Sequence, residues 1–127
     1  MSTVLHENEV EPLALPGRAL RWLFTPERGG GKGFSMNVVR IAPGQTVQPA
    51  HSHPRHEEVI YIVSGAGRAY VDGKIHELRA GTAVLFSPGA IHMLRNTGPE
   101  DLKVACFFTP QATLNDYVFH EDVRFPD

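Results

Sequence analysis

Twelve glycines and ten prolines are spread through a chain of 127 residues, so few windows remain in which a helix of three turns could run without a breaker. Between the breakers lie short segments rich in β-branched and aromatic side chains: FSMNVVRI (34–41), EVIYIVSG (58–65), GRAYVDG (67–73), AVLFS (83–87), HMLRN (92–96) and LKVACFF (102–108). Strands this short and this regularly spaced predict an all-β sandwich or barrel. Asp72-Gly73, between RAYV and KIHEL, is a two-residue turn signal that predicts a hairpin joining those segments. RGGGKG (28–33) lacks the spacing of a phosphate loop and has no serine or threonine after its lysine, so it reads as a flexible loop before a strand.

The length is that of one domain with a single core. Twelve basic and 14 acidic side chains give a formal charge of -2, and neither sign forms a run that could follow a phosphate backbone or an anionic bilayer. Nucleic acid and membrane are therefore not expected as partners. No apolar stretch reaches the roughly 20 residues of a spanning helix, and MSTVLHENEVEP lacks the basic start and apolar block of a secretory signal, which predicts a soluble cytoplasmic protein. The lone Cys106 cannot form an internal disulfide and leaves thiolate-rich zinc sites unavailable. Any metal must be held by nitrogen and oxygen.

HSHPRHEEVIYIVSG (51–65) is the densest chemical signal in the chain. Side chains two apart in a strand share a face, so His51 pairs with His53, while His56, Glu58, Ile60 and Ile62 align and Glu57 points the other way. With Ile60 and Ile62 facing inward, Glu58 faces inward too, where His51 and His53 could meet it after the turn at Pro54. The opposite register buries Val59, Tyr61 and Val63 instead, and parity does not choose between them, because the run is apolar on both faces. Its outer face is then expected to be covered, for example by a second subunit. Taken alone, the histidines fit a solvated polar turn as well as a metal site.

The second signal is GTAVLFSPGAIHMLRN (81–96): a strand, a Pro88-Gly89 turn and a strand opening with His92. Together the two segments resemble the cupin superfamily, with its motifs G-x5-HxH-x3,4-E-x6-G and G-x5-PxG-x2-H-x3-N. His51, His53, Glu58 and Gly65 match the first, and Gly81, Gly89, His92 and Asn96 the second. Two departures stand out. Six residues rather than five separate Gly44 from His51, which reads as a bulge before the ligand strand, and Ser87 replaces the usual proline, with Pro88 one position later.

The resemblance, over about residues 34–110, implies a double-stranded β-helix of the jelly-roll type in a small single-domain bacterial-type cupin. Residues 1–33 are then an N-terminal arm and strand packing on the barrel, 34–110 the conserved barrel, and 111–127 a tail packing on the barrel or a partner subunit. It also implies that His51, His53, Glu58 and His92 hold one divalent transition metal: iron, manganese, nickel, cobalt, copper or zinc. Two open coordination positions would serve a small oxygen-bearing substrate. Dioxygenase chemistry is the leading expectation; a metal-dependent lyase, isomerase or cyclase and a non-catalytic binding module are the alternatives. Glu58 and His56 are the candidate proton carriers, with His56 otherwise read as a solvent-facing turn residue. His6, His76 and His120 read as surface residues. Met36, Ile60, Ile62, Phe86, Leu94 and one face of VACFF are the expected cavity walls, with Gln48 and Asn96 as nearby polar groups. A homodimer is expected from the family and from the doubly apolar strand.

Overall fold

In a computed structural model that describes residues 2–28 and 32–126, the chain forms eleven strands. They are β1 (Leu13–Leu15), β2 (Arg18–Phe24), β3 (Ser35–Ile41), β4 (Ala50–Ser52), β5 (Glu57–Ser64), β6 (Ala66–Val71), β7 (Lys74–Arg79), β8 (Ala83–Phe86), β9 (His92–Asn96), β10 (Leu102–Thr109) and β11 (Val118–His120). Two 3-10 turns, Glu7–Glu9 and Leu114–Asp116, are the remaining regular elements. Residues 29–31 of the glycine loop lie outside the described residues.

The strands form two antiparallel sheets, ordered β1-β2-β3-β10-β5-β8 and β11-β4-β9-β6-β7. The expected all-β fold is present as a double-stranded β-helix. Asp72 and Gly73, with φ of 47° and 88°, close the β6–β7 hairpin in which Val71 pairs with Lys74. That backbone demands left-handed residues at both turn positions, which explains the dipeptide. Gly65 has φ of 92°, and a Cβ there would stand 2.6 Å from the Asp101 carbonyl, so the motif glycine is required by both conformation and space.

The β5 register is settled by packing. Glu58, Ile60 and Ile62 are buried between the sheets, while Glu57, Val59, Tyr61 and Val63 point outward. Ile60, Ile62, Phe86, Val104 and Phe108 join Leu20 and Ile41 in the core, where each large apolar side chain contributes about 1.5–3 kcal/mol. On the outer face, Phe107, Val59 and Leu85 stand in register across β10, β5 and β8, and all three are exposed.

The ends of the chain pack on this frame. Val10 meets Leu23 and Val38 outside the larger sheet. Ala112 and Tyr117 reach the main core, and Phe125 lies against Ala50 and Met93. Between Gly44 and β4 the chain bends at Gln48 and Pro49, and Thr46 and His51 stand five positions apart where their partners, Arg95 and His92, stand three apart.

Candidate metal centre

Each histidine of the group is delivered by a different local device. His51 lies in β4 and is paired directly with His92, the first residue of β9. His53 follows β4, and its carbonyl accepts a hydrogen bond from the Gly89 N–H at 3.1 Å, which ties the Pro-Gly turn of the second motif to the first. Glu58 comes from β5 in the opposite sheet, flanked in register by Phe86 and Phe108. The site therefore sits between the sheets, with all four side chains buried.

His51, His53 and His92 can each offer one ring nitrogen, and these atoms lie within 4.8 Å of one another. The rings are held by their neighbours: Phe86 stacks on His92 at 3.9 Å and 6°, and Phe108 meets His53 edge-on at 5.0 Å. Tyr117 stacks on His51 at 5.1 Å and touches His53 edge-on at 4.3 Å. His51 Nδ1 lies 3.1 Å from the Pro49 carbonyl and His92 Nδ1 lies 2.9 Å from that of Ala90. A carbonyl only accepts, so both Nδ1 atoms carry the proton, and Nε2 is the atom each neutral ring would offer a metal.

Glu58 Oε1 lies 3.1 Å from His53 Nε2 and 3.1 Å from His92 Nε2, yet none of these three buried atoms makes an aligned hydrogen bond. Lone pairs facing a carboxylate oxygen at this distance repel unless a cation lies between them. Burial by itself would raise the Glu58 pKa, but protons carried toward its carboxylate by His53 and His92 would outweigh burial and hold the carboxyl well below its usual range, a place that a cation can take instead. Burial, reinforced by His92, pushes His51 well below the usual imidazole value and keeps it neutral. Three imidazoles, a carboxylate and unpartnered buried atoms are what a divalent ion requires, and the residues fit one. His51, His53 and His92 are placed to bind a metal.

Beside the group is a narrow cavity of about 30 Å³, faced by Arg18, Asn37, Cys106 and Tyr117 and by the apolar Ile60 and Phe86. Leu94 lines it as expected, whereas Ile62 packs in the core without reaching it. Met36 is a correction: it lies on the outside of β3 against Val10, Leu23 and Val38, because the buried alternation of that strand runs through Ser35, Asn37, Val39 and Ile41. An asparagine among the inward positions disguised the face. Burial first, and the Glu58 charge second, push the Cys106 thiol and the Tyr117 phenol well up, so both stay neutral. Burial lowers the Arg18 pKa, though a guanidinium stays charged in a protein.

His56 is also a correction. It is buried, not solvent-facing, with Nε2 3.1 Å from the Gln111 carbonyl, and it stands outside the three-histidine group. His120 is half-buried rather than on the surface, with Nε2 2.9 Å from Ser52 Oγ; His6 and His76 are exposed as expected. Asn96 donates to the Ile41 and Glu100 carbonyls and accepts from the Gly98 N–H, so it builds the turn after β9. Gln48 is exposed, and its carbonyl accepts from Arg18. Tyr117, Arg18 and Asn37 were not read from the sequence as site residues. Only the polar Asn37 inside an otherwise apolar strand offered a local signal.

A family model described as Cupin domain matches residues 37–108. Protein SchB of Streptomyces halstedii is 31% identical over 120 residues, covering 94% of this chain and 86% of that protein. Polyketide synthase CurC of Streptomyces cyaneus is 31% identical over 109 residues, covering 86% of this chain and 70% of that protein. Among solved structures, the polyketide cyclase RemF from Streptomyces resistomycificus superposes with a TM-score of 0.74 at 19% identity, covering 87% of this chain and 81% of that one. That likeness is one of fold.

Proposed function

Because the chain belongs to the cupin family, we propose that it is a metal-dependent enzyme acting on a small, enolisable, oxygen-bearing substrate by non-redox cyclase- or lyase-type chemistry. The carrying observation is the set of buried, unpartnered donor atoms shared by His53, Glu58 and His92, completed by His51. The similarity to a polyketide synthase protein and the shared fold with a polyketide cyclase support the choice of reaction class over the dioxygenase expected from the sequence. A divalent ion held by the three histidines and Glu58 would polarise a substrate carbonyl and stabilise the enolate formed from it.

The protein's own groups have distinct roles in this reading. The Pro49 and Ala90 carbonyls orient His51 and His92 through their Nδ1–H groups, and Tyr117 and Phe86 hold the ring planes. Glu58 would supply the negative charge that holds the ion. Cys106 and Tyr117 line the cavity as neutral groups and add no charge to it. With Nε2 on Gln111, His56 fastens the segment before Tyr117 to the start of β5, a positioning role. The exposed Phe107–Val59–Leu85 stripe supports a homodimer, which light scattering would test.

The deciding experiment joins elemental analysis with a turnover screen. Protein loaded separately with iron, manganese, nickel, cobalt, copper or zinc is offered diketones and hydroxy acids under nitrogen, with an oxygen electrode run in parallel in air. Close to one ion per chain and metal-dependent product under nitrogen is the expected result. Turnover only with oxygen uptake would assign the dioxygenase reaction instead, and retention without turnover a binding module.

A further inference from the structure

Asn37 is 1% exposed on β3, yet neither its amide nitrogen nor its amide oxygen has a hydrogen-bond partner. The register sets it between Trp22 of β2 and Cys106 of β10, and it lines the cavity that His51, Glu58 and His92 also line. An amide buried without partners destabilises a fold, and a leucine of similar volume would not carry that cost. Among the described residues, the other unpartnered buried side-chain atoms belong to His56 and to three proposed metal-binding side chains. The Asn37 amide thus stands with groups that a ligand would complete.

Arg18 lines the same cavity. Its Nη1 donates to the Pro16 and Gln48 carbonyls at 3.2 and 3.3 Å, which fixes the guanidinium, and no carboxylate among the described residues pairs with it. With an ion among the histidines, its charge and that of Arg18 outweigh the single Glu58 carboxylate that lines the same cavity. Such a chamber favours an anion. Its volume of about 30 Å³ favours a small one.

We propose that Asn37 and Arg18 form a substrate-oxygen subsite, which takes a small organic anion carrying a hydroxyl or enol oxygen beside a carboxylate or carbonyl. Asn37 Nδ2 donates to the carbonyl-type oxygen and Oδ1 accepts from the hydroxyl, while Arg18 answers the charge. The assignment deepens the metal-centre reading above and rests on it.

Glycolate and propionate share charge and size but differ by one hydroxyl, so they separate the two roles. Calorimetric titration of the metal-loaded protein is run on wild type, Asn37→Leu and Arg18→Gln, with metal content measured for each. In Asn37→Leu, glycolate loses two hydrogen bonds and should weaken about tenfold more than propionate, which loses only the one to its carboxylate oxygen, while the ion is retained and the protein melts at or above the wild-type temperature. In Arg18→Gln both acids should weaken alike, by about tenfold. If the leucine variant does not accumulate as folded protein, Asn37→Asp replaces it; its like charge should weaken both acids. Wild type that holds its ion but does not bind glycolate, or Asn37 variants that bind it unchanged, overturns the subsite and leaves a hydrated wall. Wild type that holds no ion instead overturns the metal centre, and the subsite falls with it.

Discussion

Asn37 and Asn96 are each 1% exposed, but they live in opposite chemical regimes. Asn96, at the end of β9, spends its amide on the Ile41 carbonyl at 2.7 Å, the Glu100 carbonyl at 2.7 Å and the Gly98 N–H at 2.8 Å. The Asn37 amide, in the middle of β3, has no hydrogen-bond partner among the described residues, and its neighbours across the cavity, Glu58 and His92, also hold unpartnered buried atoms. One region is closed by its own hydrogen bonds. The other is a set of donors and acceptors arranged around a space. The contrast shows that burial of a polar residue does not by itself distinguish scaffold from site; the state of its hydrogen bonds does.

The sharpest way to break this contrast is to remove a proposed ligand. His51→Ala and His92→Ala are each expected to reduce bound metal from close to one ion per chain to near none by elemental analysis, with the β-sheet circular dichroism signal retained. Two variants that keep the wild-type metal content would mean that the unpartnered atoms are not a metal site.

Next in size are the two glutamates. Glu58→Ala should weaken metal binding by more than about tenfold, while Glu57→Ala, on the outer face, should leave affinity within about twofold; the orders of magnitude follow from ligand-environment substitutions. Equal loss in a competition titration would contradict the inward placement of Glu58 as the ligand.

The asparagine pair itself comes third. Asn96→Leu leaves the Gly98 N–H and two carbonyls without their partner and should cost about 3 kcal/mol in urea unfolding. Asn37→Leu removes an amide that already lacks partners and should lie within about 1 kcal/mol of wild type, or above it. Similar losses at both positions would erase the distinction.

The smallest effect is in pH. The folded pKa of His51 is depressed by burial and by His92, so below the ordinary imidazole value of 6.5 the unfolded chain binds a proton that the folded chain refuses. Stability of the metal-free protein should therefore fall as pH drops through 6.5, by up to about 1.4 kcal/mol per pH unit for this one proton. Glu58, depressed as well, adds a loss in the same direction only at far lower pH. A melting temperature flat from pH 7 to 5.5 would show that His51 is not the neutral, buried ring described.

Much of this was legible in the residues. β-branched and aromatic segments marked six of the eleven strands, and the Asp72-Gly73 turn added β7 as the partner of β6, because both signals are local. β1, β2, β4 and β11 were not marked: β4 and β11 are three residues each and form by pairing with distant segments, as Val118 does with Ser52, while β1 and β2 close a short hairpin before β2 joins β3. Motif spacing selected Glu58 over Glu57, and the packing of Ile60 and Ile62 places it inward. The same parity argument misplaced Met36, because β3 is covered on both sides and carries its polar residue inside. His56 looked like a turn residue until the carbonyl of Gln111, 55 positions away, closed over it.

By itself the sequence determined the fold class, the ligand residue types and their order, because breakers, strand periodicity and motif spacing act between near neighbours. Tertiary structure alone decided that Tyr117 of the tail stacks on His51, that Arg18 of β2 turns into the cavity, and that the Asn37 amide meets nothing there. These are relations between segments brought together by sheet pairing and core packing. No pattern along the chain encodes whether a buried amide finds a partner, since that partner belongs to another strand.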